Sequence, residues 1–268
     1  MKDVFLSVII PALNEEENIA DAIKGILGSF DFFNIRGELL VVNDGSTDST
    51  ELKVLEFGDN DRISLINHDT PKGIGGSFWD GVDHARGEVV TMFPGDNEND
   101  PYETMRYIGL MEHIDILIPF VYNREARSAF RNFLSLIYRK IINMTFATNL
   151  NYTNGTIIYR KKILKNLKYR SSDFFFQTDI LIRLLRKKYL FAEVPYRLNA
   201  RKGGVSKAVS YPSLIQVIKG YLNLIKDVYY FNKRYESVMS KNKSLRGSAT
   251  AKRRILDQQL RHKESKEA

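Results

Sequence analysis

Asp96 and Glu98, two apart in the run Met92-Phe-Pro-Gly-Asp-Asn-Glu-Asn-Asp-Pro101, are the carboxylates whose type and spacing most suit chemistry. Paired oxygen ligands on a turn that closes a Val-Val-Thr-Met-Phe run suit a hard divalent cation, Mg²⁺ or Mn²⁺, bridging two phosphates. Such an ion would stabilise a departing diphosphate. A solvated acidic turn is the plainer alternative. Three other loops carry reactive or ligating groups. In Pro11-Ala-Leu-Asn-Glu15 the proline stops a strand, and exposed backbone with Glu15 can contact a base or ribose. The same residues also make an ordinary strand-to-helix turn. In Asn43-Asp44-Gly45-Ser46 the Asp44 carboxylate can accept from a base N–H while Gly45 lets backbone approach closely, or the segment is a helix cap. Arg201-Lys-Gly-Gly-Val-Ser-Lys207 offers cations around a glycine pair, chemistry suited to phosphate oxygens or to a simple surface loop.

Other candidates point less clearly to chemistry. Gly73-Ile-Gly-Gly76 lacks the six-residue glycine spacing of a dinucleotide fingerprint. The four histidines are scattered and form no spaced metal pair. His84 reads as a helix-surface residue, and Trp79, the single tryptophan, as packing.

The elements that must hold these loops follow from periodicity. Strands are expected at 4–10, 38–43, 63–66, 89–93, 114–119, 156–159 and 189–194. Between them, Ile19, Ile23, Ile26, Leu27 and Phe30 share one helix face, with Asn14 and Glu17 spaced as a capping box. Ser46 or Thr47 is expected to cap a second helix, and Pro101 to open another. Alternating strands and helices argue for an α/β protein with a mostly parallel central sheet, in which ligands bind at the strands' carboxyl ends. From about residue 124 the character changes. Residues 128–145 and 211–231 read as amphipathic helices. The first carries Phe130, Phe133, Leu134, Ile137, Ile141 and Ile142 on one face with Arg131, Arg139 and Lys140 beside it. A helix is also expected at 175–186.

At 268 residues with 43% hydrophobic content the chain supports an ordinary globular core, which excludes wholesale disorder. The absence of cysteine excludes disulfides and thiolate metal sites and is compatible with a reducing compartment. No window approaches the roughly 20 apolar residues of a membrane span, and the chain begins on a strand pattern without a signal core. Residues 232–268 hold 11 Lys and Arg against 4 Asp and Glu, so the tail carries +7 of the chain's +8. The tail lacks interleaved aromatics and the rest is nearly neutral, so nucleic acid is not the expected partner.

In their order and spacing these motifs resemble family 2 glycosyltransferases of the GT-A fold, and more closely the dolichyl- and polyprenyl-phosphate sugar synthases. The resemblance spans about 5–207. It includes Asn154-Gly155, Phe176-Gln-Thr-Asp-Ile-Leu181, Ala192-Glu-Val-Pro195 and the Arg201 to Lys207 loop. It implies a GT-A domain at 1–207, an amphipathic helical segment at 208–231 and a basic tail at 232–268, flexible or a frayed helix. By resemblance Pro11, Leu13, Glu15, Val42 and Asp44 hold the base and ribose. Asp96 is the second acid of an Asp-x-Asp motif whose first acid is here Pro94, and Glu98 joins the metal shell. Arg124 and Arg131 stand on the acceptor side, and Arg201 and Lys207 clamp phosphates. The activity implied is inverting transfer of a sugar from a nucleotide diphosphate sugar, with Mg²⁺ or Mn²⁺. The acceptor would be a polyprenyl phosphate or lipid-linked glycan. A lipid phosphate needs no general base. A saccharide hydroxyl does, and Asp179 is the candidate, against its reading as a helix N-terminal acid. The expected setting is cytoplasmic, at the inner face of the membrane if the amphipathic segments and basic tail contact anionic lipid. Those helices could equally close the core or form a homo-oligomer interface. A non-catalytic nucleotide-sugar-binding module of the same fold is the alternative, and Pro94 is the residue that favours it.

Overall fold

The computed structural model of the chain describes residues 4–123, 125, 128–198, 211–230 and 248–267. Its strands are β1 (Leu6–Ala12), β2 (Gly37–Asn43), β3 (Ile63–Asn67), β4 (Val89–Met92), β5 (Ile116–Val121), β6 (Ile158–Arg160) and β7 (Phe191–Tyr196). They form one sheet in the order β3-β2-β1-β4-β6-β5-β7, parallel except for β6, which runs antiparallel to both neighbours. Its helices are α1 (Ile19–Phe32), α2 (Thr50–Leu55), α3 (Gly73–His84), α4 (Pro101–Met105), α5 (Ala129–Phe146), α6 (Lys161–Lys165), α7 (Phe176–Arg186), α8 (Tyr211–Ile225) and α9 (Ala249–Glu267). This is the mixed α/β architecture that the alternating pattern predicts.

Every residue of β1, β2 and β4 is buried, as strands covered on both faces require. On one face Ile9, Val42, Phe78, Trp79, Ile142 and Phe176 pack in a core reached by α3, α5, α7 and α8. On the other, Val8, Ile10, Ile23, Ile26, Phe30 and Met105 pack beneath α1 and α4. The chain reverses its crossover direction at β1, with β2 on one side and β4 on the other. That switch point opens a crevice at the carboxyl ends of β1 and β4.

Two capping expectations are corrected. α1 begins at Ile19, after Asn18. Asn14 is not its cap but sits in the left-handed region at φ 56°, where its side chain accepts from Thr47 N. Neither Ser46 nor Thr47 caps α2: its N-cap is Ser49, which makes no side-chain cap bond, and Asp48 before it accepts from Thr50 N and Thr50 Oγ1. Both departures have one cause, the interlocking of the loops after β1 and β2, in which Asn14 N also donates to Ser46 Oγ and Ser49 N to Glu16. Pro101 does open α4, behind the Asp100 cap. In α5, which Ser128 caps, Ile142 leaves the expected apolar face and joins Phe146 in the core.

The tail expected to be flexible or frayed contains α9, whose first turn is docked on the sheet. The fully buried Asp115 accepts from Ala249 N, Thr250 N, Thr250 Oγ1 and Arg160 Nε.

At the amino edge Glu38 is buried and accepts from Ser7 Oγ at 2.6 Å, Arg86 N at 2.6 Å and Arg86 Nε at 2.5 Å. Burial disfavours its charge, yet the Ser7 and Arg86 hydrogen bonds and the Arg86 charge hold its carboxyl below the usual range. A depressed folded-state pKa contributes stability above the unfolded value, lost as pH falls through the folded one. Glu38→Gln is therefore expected to flatten the acid limb of stability below about pH 4.3. Urea midpoints measured from neutral to acid pH check this, and an unchanged slope would refute it.

Candidate active site

Phe93 N donates to Ile9 O at 3.0 Å and Gly95 N to Pro11 O at 3.2 Å, so the loop after β4 is laced to the end of β1. This brings the loop carrying Asp96, which is half-buried, against Pro11 at the switch point. Asp96 Oδ1 accepts from Glu98 N at 3.1 Å, and Asn97 between them takes a left-handed φ of 55°. The far wall is the segment after β7: Leu198 bridges Asn99, and Asn123, two residues past β5, exchanges two hydrogen bonds with Leu198.

Asp44 N donates to Ala12 O at 2.8 Å, placing the second predicted loop against the first. Asp44 itself is buried at 4% exposure. Its Oδ1 accepts from His68 Nδ1 at 2.7 Å and Lys72 N at 2.8 Å, and its Oδ2 from Gly73 N at 2.9 Å. Gly73 meets that bond at φ +83°, a conformation that glycine adopts without strain. Gly75 allows a close approach: a Cβ there would lie 2.5 Å from Ser171 O. The glycine run is thus the packed start of α3, held by the 171–172 backbone and by the Asp44 carboxylate.

No role for His68 or Lys72 follows from the sequence motifs. His68 Nε2 lies 2.9 Å from Asp80 Oδ2 without the alignment of a hydrogen bond, and Lys72 Nζ donates to the same oxygen at 2.6 Å. Burial works against the Asp80 charge, but the hydrogen bond and charge of Lys72, with His68, hold its carboxyl below the usual range.

The other predicted residues fall as follows. Pro11 is buried and Leu13 and Glu15 reach the surface, with Glu15 N on Thr50 Oγ1. The Val42 side chain is wholly in the core. Arg131 stands in the first turn of α5, which follows β5 on the same sheet edge. Asp179 is in the first turn of α7 at 2% exposure, and its Oδ2 accepts from Arg183 Nε at 2.8 Å. Arg183 in turn donates to Asp227 at 2.7 Å. Burial pushes the Asp179 carboxyl up against the opposing pull of Arg183. Its Oδ1 has no hydrogen-bond partner among the described residues. Arg124, Arg201 and Lys207 lie outside the described residues. Trp79 packs as expected, with the Arg170 guanidinium 4.7 Å from its ring centre, and His84 is exposed.

Among the described residues no cluster of three carboxylates or imidazoles could cage a metal. By their chemistry the two carboxylates Asp96 and Glu98 could contribute oxygen ligands to a hard cation that brings water and phosphate oxygens as its remaining ligands.

Beside the crevice, a cavity of about 310 Å³ lies between the end of β5 and α5, lined by Phe120, Tyr122, Asn132, Ser135, Arg139 and Tyr152 among others. The outer face of α5 exposes Phe130, Phe133, Ile137 and Ile141, and that of α8 exposes Leu214, Ile218 and Leu222. The helices meet where Thr145 Oγ1 and Tyr221 OH lie 2.7 Å apart. No described helix is long and apolar enough to cross a membrane.

A mostly parallel α/β sheet with a carboxylate loop at its switch point defines an open α/β fold with a ligand crevice at its strands' carboxyl ends. Residues 7–168 match the Glycosyl transferase family 2 domain, and the chain belongs to that family. It is 25% identical over 207 residues to the dodecaprenyl-phosphate galacturonate synthase of Rhizobium johnstonii, covering 75% of this chain and 61% of that protein. It is 34% identical over 97 residues to WfgD of Escherichia coli, a UDP-Glc:alpha-D-GlcNAc-diphosphoundecaprenol beta-1,3-glucosyltransferase, covering 36% of this chain and 37% of that one. The chain thus spans less than two thirds of the length of these relatives. Its fold is shared with glucosyl-3-phosphoglycerate synthase of Mycobacterium tuberculosis, solved with Mn²⁺, UDP-glucose and phosphoglyceric acid. The TM-score is 0.64 at 20% identity, covering 83% of this chain and 80% of that one.

Proposed function

We propose that the chain transfers a sugar, with inversion, from a nucleoside diphosphate sugar to a polyprenyl phosphate or lipid-linked glycan. The observation that carries this reading is the lacing of the Asp96 loop to Pro11 at the switch point, which sets a carboxylate pair beside the loop that would hold the nucleotide. The Rhizobium relative's name supports a polyprenyl phosphate acceptor.

Pro11, Leu13, Glu15 and the Val42 to Asp44 turn bind the base and ribose in this reading. Asp96 and Glu98 would hold a Mg²⁺ or Mn²⁺ ion, which supplies charge neutralisation for the leaving diphosphate. Arg201 and Lys207 clamp phosphate oxygens, and Arg124 and Arg131 receive the acceptor. An acceptor oxygen attacks the anomeric carbon as the bond from that carbon to the diphosphate oxygen breaks, and the electron pair leaves with the nucleoside diphosphate. An anionic lipid phosphate carries no proton to remove, so the protein's part is positioning and charge stabilisation. Asp179, tied to Arg183, then serves α7 rather than the reaction. With a hydroxyl acceptor it is the base to test. The apolar outer faces of α5 and α8 rest peripherally on an anionic bilayer and present the crevice to the lipid-linked acceptor.

Nucleoside diphosphate release from a panel of UDP-, GDP- and dTDP-sugars, with and without polyprenyl phosphate, tests the reading. Release stimulated by the lipid is expected. Release indifferent to lipid would move the acceptor to a saccharide, and nucleotide binding without release from any donor would leave a binding module.

A further inference from the structure

The donor reading reaches a nucleobase through Asp44, and the following inference rests on that reading. An ionised carboxylate has about four acceptor positions and no donor. His68 Nδ1, Lys72 N and Gly73 N occupy three of them, two on Oδ1 and one on Oδ2. Because the carboxylate only accepts, Nδ1 is the donor in the contact with His68. The two backbone donors belong to the turn into α3. Among the described residues His68 is the only side-chain donor to Asp44, and its own side chain is 2% exposed. Its place is fixed at both ends. His68 N donates to Asn43 O at 2.9 Å, just past the β3 register partner Asn67, and the far side of the ring abuts Asp80, which also holds Lys72.

We propose that His68 is the positioning residue of the base subsite. It fixes the rotamer of Asp44 so that Oδ2 keeps one acceptor position for a base N–H. A histidine that merely fills space would have no reason to discriminate between its two nitrogens. A positioning histidine depends on Nδ1. Substitution can separate these roles, because an asparagine amide nitrogen takes the place of Nδ1 while a glutamine amide reaches that of Nε2.

The experiment is calorimetric titration of the full chain with UDP, GDP and dTDP, using the tightest of the three on wild type, H68N, H68Q and H68L, with thermal unfolding in parallel. Loss of a hydrogen bond to a charged group predicts about a tenfold or larger rise in Kd for H68Q and H68L, with H68N within about threefold of wild type. If H68L does not fold, the contrast between H68N and H68Q carries the test. Equal Kd in wild type and H68Q, or H68N as weak as H68Q, would overturn the inference and leave the donor reading standing. A wild-type chain that binds none of the three nucleotides would overturn the donor reading, and the inference with it.

Discussion

Asp96→Ala is expected to lower turnover by about 10²–10³-fold, the range found when one preorganised group aimed at developing transition-state charge is removed. The magnitude follows from how few groups share the task. Where the Asp-x-Asp pattern has its first acid, this chain has Pro94, which offers no side-chain ligand. Glu98 is the other carboxylate, and its own backbone N–H is bonded to Asp96 Oδ1, so losing Asp96 also frees the turn that presents Glu98. Glu98→Gln keeps that turn and is expected to cost less, about tenfold if a metal ion retains Asp96, water and phosphate as ligands. Initial rates of nucleoside diphosphate release with varied Mg²⁺ and Mn²⁺ measure both. An Asp96→Ala protein keeping more than a tenth of wild-type turnover would mean that charge at the leaving group is handled elsewhere. If activity survives in Asp96→Asn but not in Asp96→Ala, the turn rather than the charge is what Asp96 supplies.

The half of the chain that builds the crevice was legible because local signals and global packing agree there. β1, β2 and β4 are runs rich in β-branched residues, and a sheet buried on both faces needs continuous apolar strands, although β1 runs through Pro11 to Ala12 rather than stopping at the proline. Asp96 and Asp44 could be found because each ends such a run. What Asp44 does inside the fold could not be read. Its partners His68 and Gly73 lie 24 and 29 residues away, and a lone histidine after a strand has no motif of its own. The caps of α1 and α2 were misread because Asn14, Ser46 and Thr47 are good caps by type, yet the helices start later, after Asn18 and Ser49. Asn14, Ser46 and Thr47 instead bond across two interlocked loops. Asp179 was visible as an acid near the start of a helix, but its pairing with Arg183, which also donates to Asp227, came only with the fold. α9 was the least legible element. Its sequence is polar and basic with no apolar face to announce it, and the carboxylate that fixes its start is 134 residues distant.

Asp115→Ala is expected to destabilise the fold by about 3–5 kcal/mol, the cost of breaking a buried ion pair by removing one partner. Asp115 has no exposed surface and sits just before β5. One oxygen accepts from Arg160 Nε at 3.1 Å and Ala249 N at 2.8 Å, the other from Thr250 N at 2.9 Å and Thr250 Oγ1. Thr250 Oγ1 also accepts from Leu190 N at 2.8 Å at the entry to β7. A single carboxylate thus joins the starts of β5 and β7, β6 through Arg160, and the first turn of α9, whose N-terminal N–H groups favour an anion. Removing it leaves the mostly buried Arg160 Nε and two helix N–H groups without their acceptor, whereas Asp115→Asn keeps an acceptor oxygen and should cost less. Deleting residues 248–268 removes the donors instead of the acceptor and strands the carboxylate on Arg160 alone. If α9 is part of the fold, the deletion and Asp115→Ala lower the urea midpoint by similar amounts, and their combination costs little more than either alone. A deletion that leaves the midpoint unchanged while Asp115→Ala lowers it would assign the whole effect to Arg160 and make α9 an appendage. Because these contacts lie at the amino edge, opposite the Asp96 crevice, protein that remains folded should keep its nucleotide affinity, so a loss of binding in step with stability would contradict this separation.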